Sequence, residues 1–486
     1  FSSRRRHTRS GRVTGVQTCA LPIYDHYQQR EDNRNNKRGR GHVMSFETDK
    51  QTLEDLNILG RYKNNSVYSI FCNTVTRGGE RLLERMFLNP LTDAAEINRR
   101  TQIFRYFKEH DIAFPGETRE CDIVEQYLSG ASGKHWVFNL AVLLRAKTLE
   151  LIGNDTVINQ WHEQVITTLF FLQKAQGYLD EIVKTITGNP LEERIKWGHS
   201  LLRDKALARV LGFRGEKLSL SEMFKFDKIL RCDLNKKLVD FVKLFYEIDL
   251  NTVVGRVARK REFCFPVAYA DSEVSMGIRG LFHPALPGAV SNDLEITKSR
   301  NIFFLTGANM AGKSTLMKSF GIAVYMAHMG FPVAAKSMEF TVQDGIYTSI
   351  NVPDNINLGY SHFYAEVLRV KKVAVEVSLS KRLVVIFDEL FKGTNVKDAF
   401  DATLAVTRAL ANRRACSFMI STHIIEVGQE LGKTCDNVTF AYLPTVMKDK
   451  VPTYTYRLEN GITSDKHGMI IINNERIVEI IRSRVR

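Results

Sequence analysis

Leu305-Thr306-Gly307-Ala308-Asn309-Met310-Ala311-Gly312-Lys313-Ser314-Thr315 carries the pattern G-x-x-x-x-G-K-[ST], from Gly307 through Gly312 and Lys313 to Ser314. An apolar β-type run, Ile302-Phe303-Phe304-Leu305, precedes it, and a helical pattern from Leu316 to Met329 follows. Strand, loop and helix in that order are what a phosphate-binding loop requires. The glycines let the backbone curl until its N–H groups point at phosphate oxygens, and the helix adds the positive end of its dipole. Lys313 brings a full charge, and Ser314 a hydroxyl suited to Mg²⁺. The stretch predicts a bound nucleoside triphosphate.

Downstream, Leu383-Val384-Val385-Ile386-Phe387 reads as a buried strand that delivers Asp388 and Glu389 at its end. In a phosphate-loop enzyme the first carboxylate orders Mg²⁺ and the second orients or activates the attacking water. Phe418 to Thr422 reads as another buried strand, and His423 follows it. A histidine at the carboxyl end of a parallel strand faces the ligand crevice, within reach of a γ-phosphate. Strand and helix patterns alternate from about residue 262 to about residue 475, so this half is read as α/β with a largely parallel sheet. Its first β-type runs are Phe263–Tyr269 and Leu294–Phe304.

Upstream the pattern is helical. Asp49–Ile58 places Leu53, Leu56 and Ile58 near one face. Thr76 or a neighbour caps a helix carrying Leu82, Leu83, Met86 and Phe87, which Pro90 stops, and Asp93 to Glu96 is laid out like a capping box. Further helices are predicted over Phe138–Ile152, Gln160–Ile186 and Leu218–Tyr246. Nothing in residues 46–260 suggests catalysis, so this half reads as a scaffold or lever.

The 486 residues have room for two or three domains. Of the net charge of +14, half sits in residues 1–43, an Arg-rich stretch without apolar period that reads as a disordered or non-native leader. Patterned sequence begins directly after Met44. The mildly basic remainder is compatible with a polyanionic partner. No apolar run approaches the ~20 residues of a membrane span. Seven scattered cysteines without a C-x-x-C point to reduced thiols and a cytoplasmic setting rather than a disulfide frame or zinc site.

Three motifs in order, T-G-A-N-M-A-G-K-S-T, D-E-L-F-K-G-T-N and S-T-H, resemble the ATPase domain of the MutS mismatch-repair family. Gly359-Tyr360-Ser361-His362-Phe363-Tyr364-Ala365-Glu366 is similar to the family's G-x-S-x-F-x-x-E segment, and Thr74 to Pro90 to its core or lever domain. The resemblance covers roughly residues 46–475. It implies a helical core/lever domain over 44–262 and an ABC-type P-loop ATPase domain over 263–486. The implied activity is Mg²⁺-dependent ATP hydrolysis at a homodimer interface, opening and closing the chain on mismatched, looped or branched DNA. Gly307, Asn309, Met310, Ala311, Gly312, Lys313, Ser314 and Thr315 would bind ATP. Ser314 and Asp388 would hold Mg²⁺, Glu389 and His423 would be catalytic, and Ser361 would reach the partner's nucleotide. An alternative is a nucleotide-gated clamp or scaffold for branched DNA or protein partners, without mismatch recognition. A transporter ATPase is disfavoured because no L-S-G-G-Q-type stretch occurs.

The departures from the family pattern carry their own expectations. Ala308 replaces Pro in the loop, and Phe391 and Lys392 replace Gly and Arg after the carboxylates. An adenine-stacking aromatic is expected just before Asn292, where the chain has Ala289 and Val290; His423 or Tyr360 could compensate. With Met44 as the start, the family's mismatch-reading domain would be absent. Phe107-Lys108-Glu109 then reads as a helix end rather than a DNA wedge, and DNA shape, junctions or loops become the expected target.

Overall fold

A computed structural model of the chain describes residues 45–60, 66–129, 156–215, 217–308, 310–350, 362–448, 451–463 and 477–482. The first half is helical: α1 (Lys50–Asp55), α2 (Arg77–Leu88), α3 (Ala94–Glu109), α4 (Thr118–Ser129), α5 (Thr156–Thr185), α6 (Glu192–Leu202), α7 (Lys205–Leu211), α8 (Leu220–Asp227) and α9 (Asn235–Lys260). Thr76 caps α2 by accepting the Gly79 N–H at 2.9 Å, and Asp93 caps α3 by accepting that of Glu96 at 2.7 Å. The expected helix over Phe138–Ile152 lies outside the described residues. No helix among the described residues is long and apolar enough to cross a membrane.

The helix expected over Leu218–Tyr246 is instead two helices joined by a π-helical turn, Lys228–Asp233. Ser219 and Glu222 form a full capping box at the start of α8. The second helix, α9, runs on past Tyr246 to Lys260. Its 3.6-residue pattern is blurred because it serves two cores in turn. Leu238, Phe241, Phe245 and Ile248 join an apolar cluster with α4 to α8, whereas Leu250, Val254 and Ala258 join a second core shared with the α/β half. A helix buried on most sides loses its polar stripe. The side of α9 facing α2 is so close that a Cβ on Gly78 would fall 2.2 Å from the Tyr246 ring. Beside it, buried Asp249 accepts hydrogen bonds from the Val75 and Thr76 amides and the Thr76 hydroxyl, at 2.7 to 3.0 Å. That contact explains why the Thr74–Gly79 stretch needs threonine and glycine where it has them. Phe107 is buried at the end of α3, as a helix-end residue should be.

The second half holds β1 (Val267–Tyr269), β2 (Val274–Leu281), β3 (Asn292–Thr297), β4 (Ile302–Gly307), β5 (Ser337–Thr341), β6 (Gly345–Ser349), β7 (Leu383–Asp388), β8 (Ser417–Ser421), β9 (Val438–Leu443), β10 (Thr445–Lys448), β11 (Val451–Tyr454) and β12 (Glu459–Asn460). Its helices are α10 (Lys313–His328), α11 (His362–Ser378), α12 (Val396–Ala411), α13 (Ile425–Thr434) and α14 (Ile477–Arg482). The main sheet has the order β12-β9-β4-β8-β7-β6, parallel except for the edge strand β12. Both its faces are covered, so its strands read as continuous apolar runs. In β4, Phe303 and Leu305 enter the core shared with the helical half, while Ile302 and Phe304 enter the opposite one.

The expected Leu294–Phe304 run is two strands in different sheets. β3 pairs antiparallel with β2 in a four-stranded sheet of order β1-β5-β2-β3, and β4 begins only after the turn at 298–301. The Arg300 N–H caps that turn on the Thr297 hydroxyl at 3.0 Å. Of Phe263–Tyr269, only Val267–Tyr269 forms a strand; before it Cys264 makes one antiparallel bridge to Val333, and Pro266 has no N–H to extend a ladder.

Candidate functional site

Three parallel strands deliver the chemistry to one edge of the main sheet. At the end of β4 the chain turns through Gly307, at φ +146°, and Gly312, at φ +101°, into the first turn of α10. Gly312 sits in the left-handed region that favours glycine. A side chain there would also meet the Tyr456 ring at 3.0 Å. Lys313 is buried at 4% exposure, and its ammonium donates to the Gly307 and Ala308 carbonyls at 2.9 and 3.1 Å. The same ammonium lies 3.5 Å from Glu389 Oε1.

Asp388 ends β7 opposite Ser421 of β8. The Ser421 hydroxyl donates to Asp388 Oδ1 and accepts the Glu389 N–H at 3.2 Å, so one side chain orients both acidic positions. Glu389 has φ +53° and Phe391 φ +61°. Two non-glycine residues in that region cost about 1–2 kcal/mol each, and such strain clusters at functional sites. At Phe391 the cost is offset by burial: its ring packs on Phe363 in the first turn of α11, with centroids 6.1 Å apart. Phe391 is therefore an apolar tie between the loop after β7 and α11.

Ser314 and Thr315 are exposed in the first turn of α10, and Met310 is exposed at 78% with φ +69°. Ala311 is buried in the shared core, and its N–H is bonded to the Ala308 carbonyl at 3.3 Å. Asn309, Tyr360 and Ser361 lie outside the described residues. His423 is exposed just beyond β8. Asp388, Glu389, Leu390 and Lys392 line a small cleft with Ser349, Ile350 and Glu366. Glu366, the last residue of the G-x-S-x-F-x-x-E segment, is thus brought to the acidic pair, a placement that spacing could not predict.

Tyr456 was not foreseen at all. Asn292 donates to the Tyr456 carbonyl at 3.0 Å and accepts the Leu458 N–H at 2.7 Å. This clasp holds the half-exposed ring against Gly312. A distant loop thus brings an aromatic ring to Gly312 through Asn292, although positions 289 and 290 carry none. Its sequence signal is faint, a Tyr-x-Tyr at Tyr454 and Tyr456 whose rings lie 6.1 Å apart.

Among the described residues no cluster of three or more His, Cys, Asp or Glu could hold a metal by itself. An exposed serine hydroxyl and a strand-end carboxylate are nevertheless hard oxygen donors of the kind Mg²⁺ takes alongside phosphate oxygens and water. Ser314 and Asp388 fit that ion.

Comparison with known proteins gives a consistent result. Residues 303–484 match the family model of MutS domain V and residues 51–129 that of MutS domain III, together more than half of the chain. Among curated relatives, a DNA mismatch repair protein MutS of Pseudothermotoga lettingae is 23% identical over 87% of this chain and 62% of its own length. One from an Exiguobacterium species is 24% identical over 73% of this chain and 42% of its own length. One from Lactococcus lactis is 29% identical over 48% of this chain and 28% of its own length. The chain thus spans less than two thirds of the length of these relatives.

Proposed function

The chain belongs to the MutS family, and on that premise we propose that it hydrolyses ATP with Mg²⁺ in a P-loop ATPase domain of ABC type and couples the cycle to holding DNA as a homodimer. The observation that carries this reading is the convergence of Lys313, Asp388 and Glu389 at the carboxyl edge of β4, β7 and β8, where ligands bind open parallel sheets.

On ATP binding, the Lys313 ammonium exchanges the Gly307 and Ala308 carbonyls for phosphate oxygens. The 3.5 Å approach to Glu389 keeps lysine and carboxylate at one reacting centre. Ser314 and Asp388 would hold Mg²⁺, whose charge would offset that of the phosphates. Ser421 fixes the Asp388 carboxylate for that task. Glu389 orients the attacking water and takes its proton. Tyr456 offers its ring to adenine, a contact of about 1 kcal/mol. His423 would meet the γ-phosphate, and Ser361 the nucleotide of the partner subunit. Closure of two such sites would move the helical halves around duplex DNA bearing a mismatch, loop or branch.

Glu389→Gln should keep ATP binding and lower turnover by about 10²-fold or more. Unchanged phosphate release in that variant removes Glu389 from the role. Turnover of the unaltered chain should rise with mismatched, looped or branched duplex at ~50 mM salt. DNA-independent turnover with no DNA binding favours the scaffold alternative instead.

A further inference from the structure

The segment from Phe46 to Ile58 precedes the helical half in sequence yet is built into the α/β half. Glu47 bridges the edge strand β6: its N–H donates to the Asp344 carbonyl and its carbonyl accepts the Ile346 N–H, each at 2.8 Å. The approach is so close that a Cβ on Gly345 would stand 2.3 Å from the Glu47 carbonyl oxygen. Phe46, Leu53 and Leu56 anchor the segment in the shared core.

Its polar side chains gather at one place, the end of β6. Asp55 Oδ2 accepts the Thr348 hydroxyl at 2.7 Å and the Ile350 N–H at 2.9 Å, on either side of Ser349. Thr52 accepts the Thr348 N–H at 3.0 Å. From α11, Arg369 Nε donates to the Thr348 carbonyl at 2.9 Å while its terminal nitrogens grip Asp49, an ion pair that is almost fully buried on both sides. Ser349 and Ile350 are also walls of the cleft that holds Asp388 and Glu389. A third wall, Glu366, lies three residues before Arg369 on the same helix, hence on the same face. Both sides of the cleft are therefore secured to one strap.

We infer that Glu47–Asp55 is a positioning element for ATP hydrolysis. Asp55 and the Asp49–Arg369 pair hold the end of β6 and the first half of α11 in register with Asp388 and Glu389. The inference rests on the ATPase reading above. Apolar residues alone could dock the strap. Two buried carboxylates, costly to desolvate, add direction where geometry matters. Displacements of about 1 Å at a reacting centre cost up to ~10²-fold in rate.

The test uses the full chain with ATP and Mg²⁺, measuring phosphate release, binding of a fluorescent ATP analogue and thermal unfolding. Asp55→Asn should lower kcat by about tenfold or more while KM stays within about twofold. Thr348→Val, which removes one hydrogen bond to Asp55, should lower kcat in the same direction and serves if the first variant does not fold. Lys381→Gln cuts the ion pairs to Glu47 on the same strap, 2.7 Å long, and to Glu376 near the end of α11, 3.0 Å long, both away from the cleft; it should lower the unfolding temperature and leave kcat unchanged. Folded Asp55→Asn or Thr348→Val with unaltered kcat overturns the inference alone. So does a Lys381→Gln variant as slow as Asp55→Asn, since the strap would then act only through stability. An unaltered chain that does not hydrolyse ATP overturns both this inference and the reading beneath it.

Discussion

The helical cluster from Tyr106 to Ile248 is held chiefly by apolar packing, with one buried polar contact set on Asp227, whereas the strap at Glu47–Asp55 adds a larger polar net to its apolar anchors. The cluster is an aliphatic and aromatic interior in which Phe245 makes edge or tilted ring contacts with Phe114, Phe171, Tyr178 and Phe241. The strap carries an ion pair and a net of hydrogen bonds from Asp49, Thr52 and Asp55. Apolar burial is non-directional and tolerates small rearrangements. A buried polar net is all-or-none, because each group that loses its partner carries its full desolvation cost. In the ATPase cycle proposed above, a lever would need the first property and a joint beside the reacting centre the second.

The sharpest way to break this contrast is a pair of shape-conserving substitutions. Asp49→Asn leaves Arg369 without its counter-charge and should lower stability by about 3 kcal/mol. Leu172→Met in the cluster should cost about 1 kcal/mol. Equal losses in urea unfolding would erase the distinction. Burial alone would raise the Asp49 carboxyl, but Arg369, by hydrogen bond and charge, and Lys372 beside it hold it well below the usual carboxylate range. Its contribution is thus present above that range and lost only as pH falls beneath it.

His328 of α10 responds to milder acid. It is fully buried, with the Phe46 ring 4.5 Å away. Its Nδ1–H donates to the Val324 carbonyl at 2.8 Å, and Nε2 accepts the Gln343 N–H at 3.0 Å. A second ring proton would point at that N–H, and burial pushes the imidazole down to about 4. The unfolded chain takes up the proton near pH 6.5 and the folded chain only near pH 4, so stability is present above that window and lost across it, by about 3 kcal/mol. Hydrogen-exchange protection of α10 and β6 should fall between pH 7 and pH 5, and His328→Gln should remove that dependence. A loss of protection confined to the helical cluster would reverse the assignment. The smallest effect belongs to Tyr456, which lies outside both cores. Tyr456→Ala should raise KM for ATP about fivefold at unchanged kcat, and a loss of kcat instead would place the ring in the strap's kind of role.

The legible parts of the molecule share a physical trait. The loop from Gly307 to Ser314, the strand ending in Asp388 and the caps at Thr76 and Asp93 are written in residues that touch their own near neighbours. The parallel sheet follows from runs such as Leu383–Phe387, which have no polar face to show to water. Reading failed where one run served two partners. Leu294–Phe304 crosses two sheets, and α9 passes between two cores, so neither shows a single period.

By itself, the sequence determined that a glycine-cornered loop stands between a buried strand and a helix, with two carboxylates on a neighbouring strand, because backbone geometry and short-range patterning dictate those. The tertiary structure alone decided that Ser421 would orient Asp388, that Tyr456 would lie on Gly312, and that Asp49 and Asp55 would reach Arg369 and the end of β6. These partners are distant along the chain, and no local propensity encodes a meeting that depends on strand order and on which edge of the sheet each loop emerges from.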